Sequence, residues 1–245
     1  MGDNHLHRTD ADVSQLRELV QANHILYDHG VIDAFGHVSV RHGRDNDKFL
    51  LLRNLAPGLA SVGDILEYDL DGTPLNSAGR ASVLERFLHA EIYRARADVQ
   101  AVVHSHSTSV IPFTASSVAL QPVFHMGSFL ANTARHDLRD DCGDDTDLLI
   151  RDGAKGRYLA AALGAQCVCL MRGHGAVIVG RHLREAVYRG IYTELNARIQ
   201  MQAIGLGGAV EYLSASEARS ATKTLATQYE RCWTLWVDES DKRRK

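Results

Sequence analysis

No stretch of this chain is long and apolar enough to span a bilayer, and its first residues lack the charged-then-apolar pattern of an export signal. Charge of one sign is missing too. Lys and Arg number 27 against 30 Asp and Glu, a formal net charge of −3 that argues against a nucleic-acid or membrane-surface partner. Cysteine is scarce, and Cys142, Cys167, Cys169 and Cys232 form no disulfide framework. Cys167 and Cys169 share a face of an apolar strand, Gln166 to Met171, so the thiols are expected to be reduced core residues of a cytoplasmic protein. Repeats, low-complexity tracts and linkers are absent as well. The expectation is one domain over residues 1–245. Residues 1–10, with His5 and His7, read as a loose leader, and 238–245, ending Lys242–Arg243–Arg244–Lys245, as a loose basic tail. With 45% apolar and 23% charged residues, the composition is that of a soluble globular protein with a substantial core.

Periodicity supplies the elements. Val13 to Tyr27 has helical spacing, with Asp10 or Asp12 as cap and Gly30 as its close. Phe35–Val40 and Phe49–Leu52 read as a strand pair around a polar turn, and Ile65–Tyr68 as another strand before the turn Asp69–Gly72. Helical periodicity returns over Val83–Arg94, followed by a short strand, Val99–Val103. Ser107–Ala115 is expected to be helical, Val118–Phe124 extended, and the acidic run Arg135–Asp147 a solvated loop. Leu148–Leu163 reads as a helix weakened by Gly153 and Gly156. Cys167–Met171 and Ala176–Val179 form a hairpin, and Arg181–Ala203 and Ser216–Val237 are long helices, the second opened by Ser214 or Ser216. Hairpin-like strands among helices predict a mixed fold with an antiparallel sheet.

Histidines carry the chemistry. In Val102–Val103–His104–Ser105–His106–Ser107 the two imidazoles lie two residues apart on extended backbone, so they share one face where a buried strand reaches the surface. That is a natural pair of divalent-metal ligands, although the chain has 13 His and chance pairs are expected. His174 stands between Gly173 and Gly175 in a tight turn between two apolar strands, a third ligand if the turn meets the pair and otherwise a hairpin tip. Three protein ligands with open positions is the arrangement of a catalytic metal site. Glu85 is a fourth candidate. By spacing alone it is better read as a solvated helix carboxylate paired with Arg86 or Arg94.

Gly36–His37–Val38–Ser39, Glu85 with His89, Ala101–Val102–Val103–His104–Ser105–His106–Ser107 and Arg172–Gly173–His174–Gly175 together resemble the class II aldolase/adducin family, in the family's order and over nearly the whole chain. The resemblance implies an α/β fold of three layers, α/β/α, around a central, mainly antiparallel sheet. It implies a homotetramer with active sites at subunit interfaces, and a divalent metal, Zn²⁺ or Mn²⁺ with Co²⁺ or Fe²⁺ as alternatives, held by His104, His106 and His174. Glu85 takes the place of the family's acid/base residue.

Departures from the sugar-phosphate members point to the substrate. Where those members carry Gly-Asn-x-Ser, a Thr-Pro-(Ser/Thr)-Gly loop and Ser-Ser-Glu, this chain has His37, Leu51–Leu52–Arg53–Asn54 and Val83–Leu84–Glu85. Two hydroxyl donors are replaced by apolar side chains, which removes hydrogen bonds a phosphate dianion needs. Arg53–Asn54–Leu55–Ala56–Pro57, Pro122–Val123–Phe124–His125–Met126 and Arg231–Cys232–Trp233 with Trp236 resemble a decarboxylase branch acting on hydroxylated aromatic or pyridine dicarboxylates. The expected reaction is loss of CO₂ from a hydroxylated aromatic acid such as a dihydroxyphthalate-like or dihydroxycumate-like ring, with the cation stabilising charge on a ring oxygen. Glu85 would move the proton, aided by His125 if that side chain lines the pocket, while His37, Arg53 and Asn54 recognise the substrate; Tyr229 could reach a neighbouring subunit's site, although a helical Tyr is more often a core residue. Retro-aldol cleavage of an unphosphorylated hydroxy-keto compound is the alternative, and an adducin-like binding module without chemistry a more distant one.

Overall fold

Alternation along the strands sorts the apolar side chains onto two faces. In the computed structural model, which describes residues 11–244, strand β4 (Ala101–Ser105) turns Ala101 and Val103 to one cluster and Val102 to the other. β2 (Lys48–Leu52), β6 (Val168–Met171) and β7 (Gly175–Gly180) divide in the same way. With β1 (His37–Arg41), β3 (Ile65–Asp69) and β5 (Ala134–His136) they form a seven-stranded sheet of order β3-β2-β1-β4-β7-β6-β5. Every pairing is antiparallel except β5 with β6. Because both faces are covered, β2, β6 and β7 are apolar nearly end to end, while β1 alternates Val38 and Val40 with the buried polar residues His37, Ser39 and Arg41.

One face carries α1 (Val13–Asp28), α6 (Leu183–Gly205) and α8 (Tyr229–Arg243), which bury Leu19, Ile25, Val187, Trp233 and Trp236. The other carries α2 (Arg86–Ala95) and α5 (Gly153–Leu163), with Leu88, Ile92, Leu159 and Leu163. Each such side chain contributes roughly 1.5–3 kcal/mol on burial. The layering is the expected α/β/α. Asp12 caps α1 through the Ser14 amide, and Gly30 follows at φ +67°. Gly156 lets α5 lie on α2, since a Cβ there would stand 2.7 Å from the Phe87 carbonyl oxygen.

Several expectations change. The last long helix is two, α7 (Ala215–Leu225), opened by a Ser214–Glu217 capping box, and α8 after a break at 226–228. α8 runs through Arg243, and Arg244 pairs with Asp28 at 2.7 Å, so the tail is not loose over the described residues. The leader with His5 and His7 lies outside the described residues. The acidic run is not all solvated loop: it holds β5, whose His136 is buried, and α4 (Leu138–Cys142), capped by Asp137. Residues 118–124 form no strand, the helix within 107–115 is only α3 (Ile111–Ala115), and α2 and α5 begin later than their apolar patterns. All four thiols are free, but Cys142 is exposed. Cys167 precedes β6 and packs with the cluster on the opposite face from Cys169.

Candidate metal centre

Four side chains from three places in the chain meet at one end of β4. His104 is its penultimate residue and fully buried, and His106 follows it. His174 sits on the β6–β7 turn, which is brought alongside because β7 pairs with β4, Ala176 opposite Ser105. Two glycines make that approach possible. Gly173 takes φ +65°, and a Cβ on Gly175 would fall 2.0 Å from the Ser105 carbonyl oxygen. Glu85 closes the group from the turn that leads into α2.

The three Nε2 atoms lie 3.0 Å (His104–His106), 3.2 Å (His104–His174) and 3.1 Å (His106–His174) apart. Glu85 Oε2 is 3.3 Å from His104 Nε2 and 3.4 Å from His174 Nε2. A cation held at about 2.0–2.1 Å by tetrahedral ligands sets its donors about 3.3 Å apart, so the cluster has the dimensions of a coordination shell. Two of the three outward nitrogens are anchored as such ligands require. His174 Nδ1 donates to the Leu148 carbonyl at 2.9 Å, and His106 Nδ1 lies 3.2 Å from Asp33 Oδ1, leaving both Nε2 lone pairs inward.

Electrostatics follow the geometry. Burial alone raises the Glu85 carboxyl, but charge and hydrogen bonding from His104 and then His174 outweigh it and hold the group far below the ordinary carboxylate range. Burial lowers His174, yet its contact with Glu85 more than compensates, and its pKa is raised. His106 is lowered to about 4 by burial and by its two imidazole neighbours. Burial, and then the charge of His104, also depresses His89, to about 3.

Beside the cluster opens a cavity of about 300 Å³ whose walls include Leu52, Leu55, Val83, Leu84 and Leu149. Its polar lining is His37, Arg53, Asn54, Glu85 and His106. Arg53 Nε donates to Asp64 at 2.7 Å, which orients the guanidinium and engages no Nη atom. A larger hollow of about 480 Å³ between α7 and residues 121–132 holds none of the four donors.

The residues expected at the site are thus mostly together. Glu85 overturns the solvated reading: it is 5% exposed, and Oε1 accepts the Ile150 amide at 2.9 Å. His125 stands exposed at the head of the 3-10 helix His125–Asn132, away from the cavity lining of its own chain. Tyr229 is a core residue, its hydroxyl 3.4 Å from Glu185 of the same chain. Asp33, Leu148 and Ile150 had no signal in the sequence pattern. Leu148 is a non-glycine residue at φ +65°, a backbone strain that sets its carbonyl on His174.

Decarboxylase tropJ of Talaromyces stipitatus is 39% identical over 249 residues, covering 91% of this chain and 93% of that protein. The 3,4-dihydroxyphthalate decarboxylase of Arthrobacter keyseri is 30% identical over 203 residues, 79% of this chain and 80% of that one. Among solved structures, an L-fuculose 1-phosphate aldolase from Glaciozyma antarctica shares the fold at a TM-score of 0.77 and 23% identity, over 97% of this chain and 94% of that one. The profile of the class II aldolase and adducin N-terminal domain matches residues 17–201, and this chain belongs to that family.

Proposed function

We propose that the protein is a divalent-metal-dependent decarboxylase of a hydroxylated aromatic carboxylate. The observation that carries the reading is the cavity itself: four convergent donors at one side, apolar walls that include Val83 and Leu84, and the free end of a guanidinium. Such walls suit a flat ring and offer few hydrogen bonds to a phosphate, and about 300 Å³ is at the small end of ligand sites. Both decarboxylases reported above support carboxy-lyase chemistry over aldehyde release.

Three imidazoles and a carboxylate suit Zn²⁺ or Mn²⁺, with Co²⁺ or Fe²⁺ also compatible. When bound, such an ion supplies Lewis-acid stabilisation of charge on a ring oxygen. Glu85 takes the proton of the substrate hydroxyl on Oε2 and returns it to the ring carbon that bears the carboxylate. The ring carbon to carboxylate bond then breaks, its electron pair restores the aromatic ring as a phenolate, and CO₂ leaves. Arg53 clamps the carboxylate through its Nη atoms, with Asn54 and His37 also lining the cavity.

The same reading includes assembly. Phe35 and Leu84, 76% and 58% exposed, flank the cavity, and a second copy of the chain covering them in a homotetramer would complete it. A cytoplasmic setting fits the four free thiols. The test is to load the protein with Zn²⁺ or Mn²⁺ and follow CO₂ and aldehyde release on catechol carboxylates, 3,4-dihydroxyphthalate among them, and on hydroxy-keto acids. CO₂ from the ring acids is expected; aldehyde from the hydroxy-keto acids alone would replace this reading with a retro-aldolase.

A further inference from the structure

Behind the cavity a chain of short hydrogen bonds runs between β1 and α2. Tyr93 OH lies 2.8 Å from Ser39 Oγ, Ser39 Oγ 2.7 Å from His89 Nδ1, and His89 Nε2 2.7 Å from His37 Nδ1. All four side chains are buried. At the far end His37 Nε2 is buried with no partner, on a residue that lines the cavity beside Glu85 and His106.

Counting protons gives the chain a direction. Among the described residues Ser39 Oγ is the one acceptor near the Tyr93 hydroxyl, whose other polar neighbour, the Val102 amide, is itself a donor. A buried hydroxyl left without an acceptor costs about 1–3 kcal/mol, so Tyr93 donates to Ser39. Ser39 then donates to His89 Nδ1, and His89 Nε2–H to His37 Nδ1. His37 must therefore carry its hydrogen on Nε2. The adjoining ring tells the same story. His104 lies 4.9 Å away between centroids, and its Nδ1, also buried without a partner, bears hydrogen whenever Nε2 faces a cation. Two donors cannot satisfy each other, and both lack an oxygen.

We propose that Tyr93, Ser39 and His89 are positioning residues that lock His37 as a hydrogen-bond donor at Nε2, which selects ligands presenting an anionic oxygen between His37 and Arg53. The inference deepens the decarboxylase reading and rests on it for the identity of that oxygen, a carboxylate or phenolate of the ring acid. In this role His37 takes no proton from the substrate. It holds the oxygen while Glu85 moves the proton.

Imidazole ¹⁵N NMR on the full-length, metal-free protein reads the tautomer, the His37 signals being identified by their loss in His37→Gln. A protonated Nε2 and a bare Nδ1 are expected, and Ser39→Ala should give a mixture of tautomers. Hydrogen on Nδ1 in the unsubstituted protein overturns the proposal, whatever the variants do. Calorimetry with phthalate, a ring dicarboxylate without the reacting hydroxyl, reads the consequence in the zinc-loaded protein. Ser39→Ala should bind it about twofold more weakly for an even mixture of tautomers, because only the Nε2–H form is competent; unchanged affinity overturns the selection step. CO₂ release with hydrogen on Nδ1 would sink this inference and leave the decarboxylase standing. The expected tautomer and phthalate binding without CO₂ release would do the reverse.

Discussion

Gly175→Ala asks how closely β7 must approach β4. The added Cβ would meet the Ser105 carbonyl oxygen at 2.0 Å, the Ser105 carbonyl carbon at 3.1 Å and the His106 ring at 3.2 Å. Proteins essentially never hold a Cβ closer than 3.0 Å to another atom, so the two backbones must part by about 1 Å. No side chain can swing aside to absorb that shift, because the obstructing oxygen belongs to a strand paired on both edges. Overpacking of this kind costs about 1–3 kcal/mol, and a backbone clash belongs at the upper end. For a chain of this size about 3 kcal/mol lowers the melting temperature by roughly 6–12 °C. The larger effect is local, since His174 precedes Gly175 and His106 follows Ser105. A 1 Å separation inserted between donors now 3.1 Å apart takes one of them out of reach of a shared ion. Zinc affinity, measured by competition with a chelator, should fall at least tenfold, as it does when ligand support is lost. Gly205→Ala is the control, because a Cβ there meets nothing within 4 Å, and it should lower neither quantity. A Gly175→Ala protein with undiminished zinc affinity and melting temperature would refute the claim that this contact builds the site.

Glu85→Gln keeps a carbonyl oxygen for the Ile150 amide, so the fold should hold and zinc should still bind to the three imidazoles. Turnover should fall by at least a hundredfold in a CO₂-release assay, and full activity would remove Glu85 from proton transfer. Because the His174 pKa is raised, a proton competes with the cation on that ring, and affinity should climb as pH rises through neutrality. Calorimetry in buffers of different ionisation enthalpy should find proton release on ion binding that diminishes as pH rises, with none near pH 7 from His106, whose pKa is about 4. Without metal the sign reverses: the stability His174 gains from Glu85 is present below its unfolded pKa and is lost as pH rises through the raised folded value, which melting curves across pH 6–9 would show. Arg53→Lys should raise KM about tenfold or more with little change in melting temperature, since a point charge replaces a fork oriented by Asp64.

The parts of the site that were legible in the sequence are those encoded by backbone geometry nearby. Alternation on extended backbone puts His104 and His106 on one side, and two glycines leave room for His174 at the tip of its turn; each requires only a few consecutive residues. Glu85 was misjudged by spacing because the apolar pattern from Val83 suggests a helix that has already begun. The helix starts at Arg86, so Glu85 sits at its N-cap, on the preceding turn, where helical periodicity does not yet apply. Resemblance to the family, rather than periodicity, recovered it. The supports were not legible at all, and for a different reason. Leu148 and Ile150 act through a carbonyl and an amide, groups that every residue there would supply, so their side chains carry no trace of the role. Asp33 meets His106 across 73 positions, and Ser39 meets His89 across 50, distances that only the pairing of β1 with β4 and the packing of α2 close. A local pattern can therefore name the atoms that would face a cation, while the hydrogen bonds that set their tautomers depend on strand order. That dependence is why the direction of the Tyr93–Ser39–His89–His37 chain, and with it the donor or acceptor character of the cavity wall, follows from the folded structure and from no shorter argument.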